Sequence, residues 1–103
     1  MQPQLEERLA DLVEGLPDVG VEGGPAGRVE YVRNGVVFAV CPSTDSVELR
    51  LGAEIAEAAR RTPDTSGSSR GADWVRFSPK EWDDHATDRL DAWFRVAWRY
   101  ARQ

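Results

Sequence analysis

The chain has 103 residues, of which 41% are hydrophobic and 30% are charged. This size and composition are typical of one globular domain that folds without disulfides or a metal, and they exclude a disordered acidic tail. The formal net charge of −5 makes nucleic acid an unlikely default partner, because duplex binding depends on basic side chains that neutralise phosphates.

The first predicted element is a short amphipathic helix from about Pro3 to Gly15. Its apolar residues recur on one face at helical spacing, and Gly15 and Pro17 end the pattern. Those apolar positions are Leu5, Leu9, Leu12, Val13 and Leu16. The glycine-rich stretch over 16–27 is predicted to be a mobile connection without a helix or strand.

Two strands of a β-hairpin are predicted next, over 28–33 and 36–41. They flank Asn34-Gly35, a pair whose tolerance of positive φ suits a two-residue type I′ turn. The second of these strands is apolar on both faces. We therefore expect it to lie centrally in the sheet.

A third strand, over 46–51, follows a turn and completes an antiparallel meander. It has the clearest two-residue alternation in the chain. Its apolar members are Val47, Leu49 and Leu51, and the residues predicted to face away from the core are Ser46, Glu48 and Arg50.

A compact helix is predicted over 53–61, with Ile55, Ala58 and Ala59 facing inward. The polar stretch that follows, 62–71, is rich in residues that compete with regular structure for backbone hydrogen bonds, so we expect a flexible loop. The chain then returns as a fourth strand over 72–77.

The last predicted element is a long helix that opens at Ser78, with Pro79 at its first position and Glu81 three residues after the cap. Its apolar stripe is wide and aromatic. The stripe consists of Ala86, Leu90, Trp93, Ala97 and Tyr100, flanked by Phe94, Trp98 and Ala101.

Together these elements predict a single α+β domain over 1–103. Its antiparallel sheet has four strands, the three-stranded meander plus one later strand. One face of the sheet is covered by the N-terminal helix and the long C-terminal helix, and the short middle helix serves as a crossover.

The remaining composition indicates a source and a compartment. Cys41 is the only cysteine and cannot form an internal disulfide, which favours a reducing compartment. Lys80 is the only lysine among 13 basic residues, a usage that we attribute to a GC-rich bacterial genome. No apolar run approaches the roughly 20 residues that cross a bilayer, and the N-terminus does not resemble a secretion signal. We therefore expect a bacterial cytoplasmic protein without a membrane partner.

Candidate catalytic groups are few. His85 follows Asp83 and Asp84 and could act as a general base oriented by a carboxylate, but a solvated or helix-capping histidine is the favoured interpretation. The stretch Ser66–Gly71 has the hydroxyls, glycines and arginine of a phosphate-binding loop, but it leads into a strand, which favours a simple connector. The sequence therefore predicts no catalytic residue, cofactor or metal site, and an enzyme that uses His85 or the 62–71 loop remains an alternative.

The C-terminal helix supplies the candidate interaction residues. Three tryptophans lie in this helical segment: Trp82, Trp93 and Trp98. A four-stranded sheet can be too small to cover all of these rings, and any ring left exposed would favour a homodimer or docking of another protein. Arg95, Arg99 and Arg102 form a basic stripe beside them. We expect this stripe to complement the helix dipole, with nucleic-acid binding as the alternative.

The strand before the last helix reads Asp73-Trp74-Val75-Arg76-Phe77. With the order of elements around it, this segment resembles the small bacterial MmcQ/YjbR-like and TfoX-N-terminal-like α+β domains. It is also similar to small luciferase-associated domains, in which a tryptophan-valine strand precedes the closing helix. The resemblance implies a non-catalytic domain, sometimes proposed to bind DNA or proteins, with no cofactor or active site to transfer. We therefore predict a non-enzymatic protein-interaction or small-ligand-binding module.

Overall fold

The computed structural model describes residues 3–24, 28–42, 46–81 and 83–101. Three helices and six strands lie within them. In chain order these are α1 (Pro3–Gly15), β1 (Gly20–Gly23), β2 (Val29–Arg33), β3 (Val36–Cys41), β4 (Val47–Arg50), α2 (Ala53–Ala59), β5 (Thr65–Ser68), β6 (Gly71–Phe77) and α3 (Asp84–Tyr100).

The strands form one antiparallel sheet in the order β1-β2-β3-β4-β6-β5. The α+β class, the meander and the two terminal helices are confirmed. The predicted number of four strands is wrong, because the sheet contains one further short strand at each edge. β3 lies between β2 and β4, as expected for a strand that is apolar on both faces.

Both edge strands come from segments that were predicted to lack regular structure. β1 lies within the 16–27 connection and pairs with β2. β5 lies within the 62–71 loop and pairs with β6, so this loop is a β-hairpin. An edge strand needs ladder bonds to only one neighbour, and tertiary context overrides the low β-propensity of its glycines and serines.

The β2–β3 hairpin turns as predicted, with positive φ of 52° at Asn34 and 78° at Gly35. Its ladder contains a bulge: Tyr31 pairs with Ala39 while the next residue pairs with Val37, which leaves Phe38 as the extra residue. The bulge allows Phe38 and Ala39, although adjacent, to enter the same core.

The hydrophobic core lies on one face of the sheet, where all three helices contribute to it. Packing of α1 and α3 over this face is confirmed, and α2 packs there too, against β6. The core residues from the helices include Leu5, Leu9, Leu12, Ala56, Ala59, Leu90, Phe94 and Ala97, and those from the sheet include Tyr31, Phe38, Leu49, Val75 and Phe77.

The predicted inward face of α2 is wrong in two of its three residues. Ala56 and Ala59 are buried, whereas Ile55 is 44% exposed and Ala58 is also exposed. Two small residues three positions apart let the backbone of this short helix approach β6 closely. The larger isoleucine is therefore left on the flank of the helix.

The start of α3 also differs from the prediction. The N-cap is Asp83, whose Oδ1 accepts a hydrogen bond of 2.9 Å from the backbone amide of Ala86. The amide of Ser78 instead donates to the carbonyl of Asp64 at 2.9 Å, which keeps Ser78 beside the turn before β5. Aspartate and serine cap comparably well, so the tertiary contact of Ser78 decided between them.

Candidate interaction groove between α2 and α3

The two helices α2 and α3 run antiparallel along the same face of the sheet. At one end, a Cβ added to Gly52, just before α2, would lie 3.1 Å from Cε1 of Tyr100, which ends α3. At the other end, Nη2 of Arg89 donates to Oγ1 of Thr62 and to the carbonyl of Pro63, both at 2.6 Å. Together these contacts fix the direction and the ends of a groove between the helices.

The α3 side of this groove is a half-buried stripe of Arg89, Trp93, Val96 and Tyr100. The spacing of four, three and four residues places them on one flank of the helix. The Trp93 ring packs edge-on against Phe77, with ring centroids 5.2 Å apart. The guanidinium carbon of Arg89 lies 4.9 Å from the centroid of Trp93, so the indole is fixed from two directions and still partly exposed.

The α2 side is formed by Ile55. Together with Tyr100 and Leu51 it lines a depression of about 240 Å³. In the described part of the chain, Ile55 and Val21 are the exposed large hydrophobic side chains. The guanidinium carbon of Arg50 lies 4.8 Å from the centroid of the Tyr100 ring and supports the end of this depression.

Charged side chains of opposite sign lie on the exposed sides of the two helices, outside the apolar groove. Glu54 and Glu57 are exposed on α2, and Arg95 and Arg99 are exposed on α3. Glu57 also pairs with Arg61 at 3.1 Å, one turn away on the surface. The rim is therefore acidic along α2 and basic along the second half of α3.

Of the two described tryptophans among those predicted to form an interaction surface, Trp93 lies on the groove flank of α3 and Trp98 does not. Trp98 is half-buried on the opposite flank of α3, where its Nε1 donates to the carbonyl of Pro17 at 2.9 Å. The guanidinium carbon of Arg33 lies 3.7 Å from its ring centroid, and Nη1 of Arg33 donates to its carbonyl oxygen. Trp98 thus holds the chain after α1 against α3.

Two of the predicted interaction residues, Trp82 and Arg102, lie outside the described residues. Three apolar groove residues, Val96, Tyr100 and Ile55, were missed from the sequence. Val96 and Tyr100 share the helical spacing of Trp93, so this flank could have been recognised, although Tyr100 was assigned to the core stripe. Ile55 could not have been found, because its exposure depends on which small residues of α2 face β6.

His85 lies in a second depression, of about 310 Å³, together with Asp64, Asp83, Arg89 and other polar side chains. The predicted partner of this histidine, Asp83, uses its Oδ1 to cap α3. Arg89 is bonded to the turn before β5. Asp83 and Arg89, two of the charged side chains in this depression, are thus engaged in structural hydrogen bonds.

The stretch Ser66–Gly71, considered above as a phosphate-binding loop and as a simple connector, also forms internal hydrogen bonds. Nε of Arg70 donates to Glu48 at 2.9 Å, and Oγ of Ser68 donates to the other oxygen of the same carboxylate at 2.7 Å. Glu48 was predicted to face away from the core and does so, but only 7% of it is exposed. At the turn of the β5–β6 hairpin, the Arg70 side chain therefore reaches Glu48 on the second face of the sheet, and its Nε is engaged in an internal ion pair.

Among residues 3–24, 28–42, 46–81 and 83–101, no three histidine, cysteine, aspartate or glutamate side chains are grouped so as to hold a metal ion. No helix in the same part of the chain has the length and apolar character needed to cross a membrane. Comparison with family models, curated proteins and solved structures gave no match to the chain.

Proposed function

We propose that this protein is a non-enzymatic protein-interaction module of the bacterial cytoplasm, and that it binds its partner in the groove between α2 and α3. The observation that carries the proposal is Ile55. It is 44% exposed beside a depression that it shares with Tyr100, and Trp93 and Val96 continue the apolar surface along α3.

Exposure of these side chains has an energetic cost that a partner would remove. Full burial of an isoleucine or aromatic side chain contributes about 1.5–3 kcal/mol. Tryptophan and tyrosine are also the residues that most often anchor protein interfaces. Trp93 is held by Phe77 and Arg89, so little side-chain entropy would be lost when a partner covers it.

The alternatives receive less support from the same surfaces. Asp83 beside His85, and Ser68 and Arg70 beside Glu48, are engaged in structural hydrogen bonds, which favours a structural role for these groups over a catalytic one. Arg95 and Arg99 are exposed on α3, and the acidic Glu54 and Glu57 are exposed on the neighbouring helix α2. A surface of mixed sign is poorly suited to a polyanion such as nucleic acid.

A displayed peptide library provides the test. Peptides selected on the wild-type protein should carry apolar or aromatic anchors. Ile55→Asp should weaken their binding at least about tenfold, because the substitution places a charge beside the apolar depression. Fluorescence anisotropy would measure the affinities.

The matched control is Val21→Asp, which introduces the same charge at an exposed apolar residue on the edge strand β1. Selected peptides should bind this variant as they bind the wild type. Circular dichroism would verify that both variants are folded. Selected peptides that bind equally well to Ile55→Asp would refute the groove as the binding surface.

A further inference from the structure

The partner that best fits this groove is a second copy of the chain. Resting on the proposed function above, we propose that two copies associate through their α2–α3 grooves, related by a two-fold axis that runs along the groove. A rotation of 180° about this axis exchanges the α2 side of the groove with the α3 side. The axis therefore brings α2 of each copy over α3 of the other.

The position of each residue along the groove axis decides which residues of the two copies would meet. Since α2 and α3 are antiparallel and Gly52 lies against the Tyr100 ring, positions counted forward from Gly52 correspond, to about one helical turn, to positions counted backward from Tyr100. Glu57 and Arg95 each lie about 7.5 Å from that end at the helical rise of 1.5 Å per residue. Glu54 and Arg99 both lie within about 3 Å of it by the same measure. The two-fold rotation does not change a residue's distance along the groove. It therefore places Glu57 of one copy opposite Arg95 of the other, and Glu54 opposite Arg99.

The lateral order of the side chains agrees with this arrangement. On α2, Ile55 borders the groove, Glu54 lies on the outward crest and Glu57 lies beyond it, as helical geometry requires when Ala56 and Ala59 are buried. On α3, Val96 and Tyr100 border the groove, Arg99 lies on the crest and Arg95 beyond it. From the groove outward, each helix would thus present an apolar residue, then a charged residue on its crest, then a second charged residue beyond the crest. The charges are negative on α2 and positive on α3.

The centre of the interface would consist of Ile55 from both copies, together with Trp93, Val96 and Tyr100. Such an interface is isologous, since each surface is complementary to itself. The ion pair of Glu57 with Arg61 does not oppose it, because both side chains are largely exposed, at 63% and 77%, and exposed pairs contribute little. The charged rim would set the register, so dimerisation should weaken as salt is raised.

Sedimentation velocity over a concentration series tests the proposal with single charge reversals. The wild-type protein should show a concentration-dependent dimer. Glu54→Arg and Arg99→Glu, each alone, should weaken dimerisation about tenfold or more, since each places like charges in contact twice per dimer. Glu14→Arg, which reverses an exposed charge on α1, should dimerise as the wild type does.

The decisive measurement is the equimolar mixture of Glu54→Arg with Arg99→Glu. In the mixed dimer every altered residue faces an opposite charge, so a heterodimer should form with about wild-type affinity. Circular dichroism of each variant would verify that the exposed substitutions leave the fold intact.

A wild-type protein that stays monomeric at all concentrations would overturn the proposal, and so would a dimer indifferent to both reversals. These results can be separated from failure of the groove itself. A monomer that still binds selected peptides in an Ile55-dependent way refutes the second copy alone. Loss of both dimer and peptide binding refutes the interaction function as well.

Discussion

At the scale of single residues, Trp93 and Phe94 are neighbours with different environments. Phe94 is completely buried and packs edge-on against Phe38 and Tyr31, with ring centroids 5.3 and 5.6 Å away. Trp93 contacts Phe77 on one side and is only half-buried. The Phe94 ring therefore fills the core, whereas the Trp93 ring also forms part of the surface.

Replacement of each ring by alanine should reveal this difference. Phe94→Ala is expected to lower the free energy of unfolding by about 3–5 kcal/mol, the loss typical of a core aromatic residue. Trp93→Ala should cost about 2 kcal/mol, because part of its surface is already in water and less transfer free energy is lost. Urea denaturation would measure both, and equal losses would show that Trp93 is a core residue.

At the scale of elements, the turn of the β5–β6 hairpin is bonded to a buried carboxylate on β4. Glu48 accepts hydrogen bonds from Ser68 and Arg70, and Arg70 also lies over Trp74, with its guanidinium carbon 5.5 Å from the ring centroid. The hairpin thus supplies the cation that a glutamate on this face of β4 requires. These side-chain bonds add to the backbone ladder between β5 and β6.

A double-mutant cycle would measure this coupling. Arg70→Met should lower the free energy of unfolding by about 2 kcal/mol, because it leaves a buried carboxylate without its cation. The loss should shrink to under about 1 kcal/mol in a Glu48→Gln background, where no buried charge remains. Chemical denaturation of the four proteins gives the coupling energy, and additive effects would show that the pair does not act as a unit.

At the scale of the whole molecule, α1 is joined to α3 by side chains 83 positions apart. Nε of Arg8 donates to Oδ1 of Asp91 at 2.7 Å, and Nη2 of Arg8 donates to Oδ2. This hydrogen bond raises the pKa of Arg8, while desolvation acts in the opposite direction. A raised pKa on a cation means that its stabilisation is complete below the ordinary arginine pKa and is lost only at higher, strongly alkaline pH.

Arg8→Met should therefore destabilise the protein by less than about 1 kcal/mol, since the two side chains are partly exposed and the pair is screened by solvent. The difference between variant and wild type should stay constant from about pH 6 to pH 9, where arginine and aspartate keep their charges. Thermal denaturation across this range measures it. A difference that disappears within the range would mean that another group titrates against Arg8.

Local sequence by itself determined the elements whose signals lie within a few residues. The spacing of Leu5, Leu9 and Leu12 predicted α1, and Asn34-Gly35 predicted the hairpin, with positive φ at both residues. The continuous apolar run of β3 also predicted its central place in the sheet. These predictions held because helix period, strand alternation and turn geometry are short-range properties of the chain.

Only the tertiary structure decided the edges of the sheet and the surface of the groove. β1 and β5 form because a neighbouring strand offers unpaired backbone groups. The glycine- and serine-rich composition of these two segments does not predict this pairing. Glu48 is buried because Arg70, 22 residues later, reaches it. Ile55 is exposed because two alanines of α2 meet β6 instead. Each outcome depends on contacts between residues distant in the chain, and such contacts leave no periodic signal in sequence.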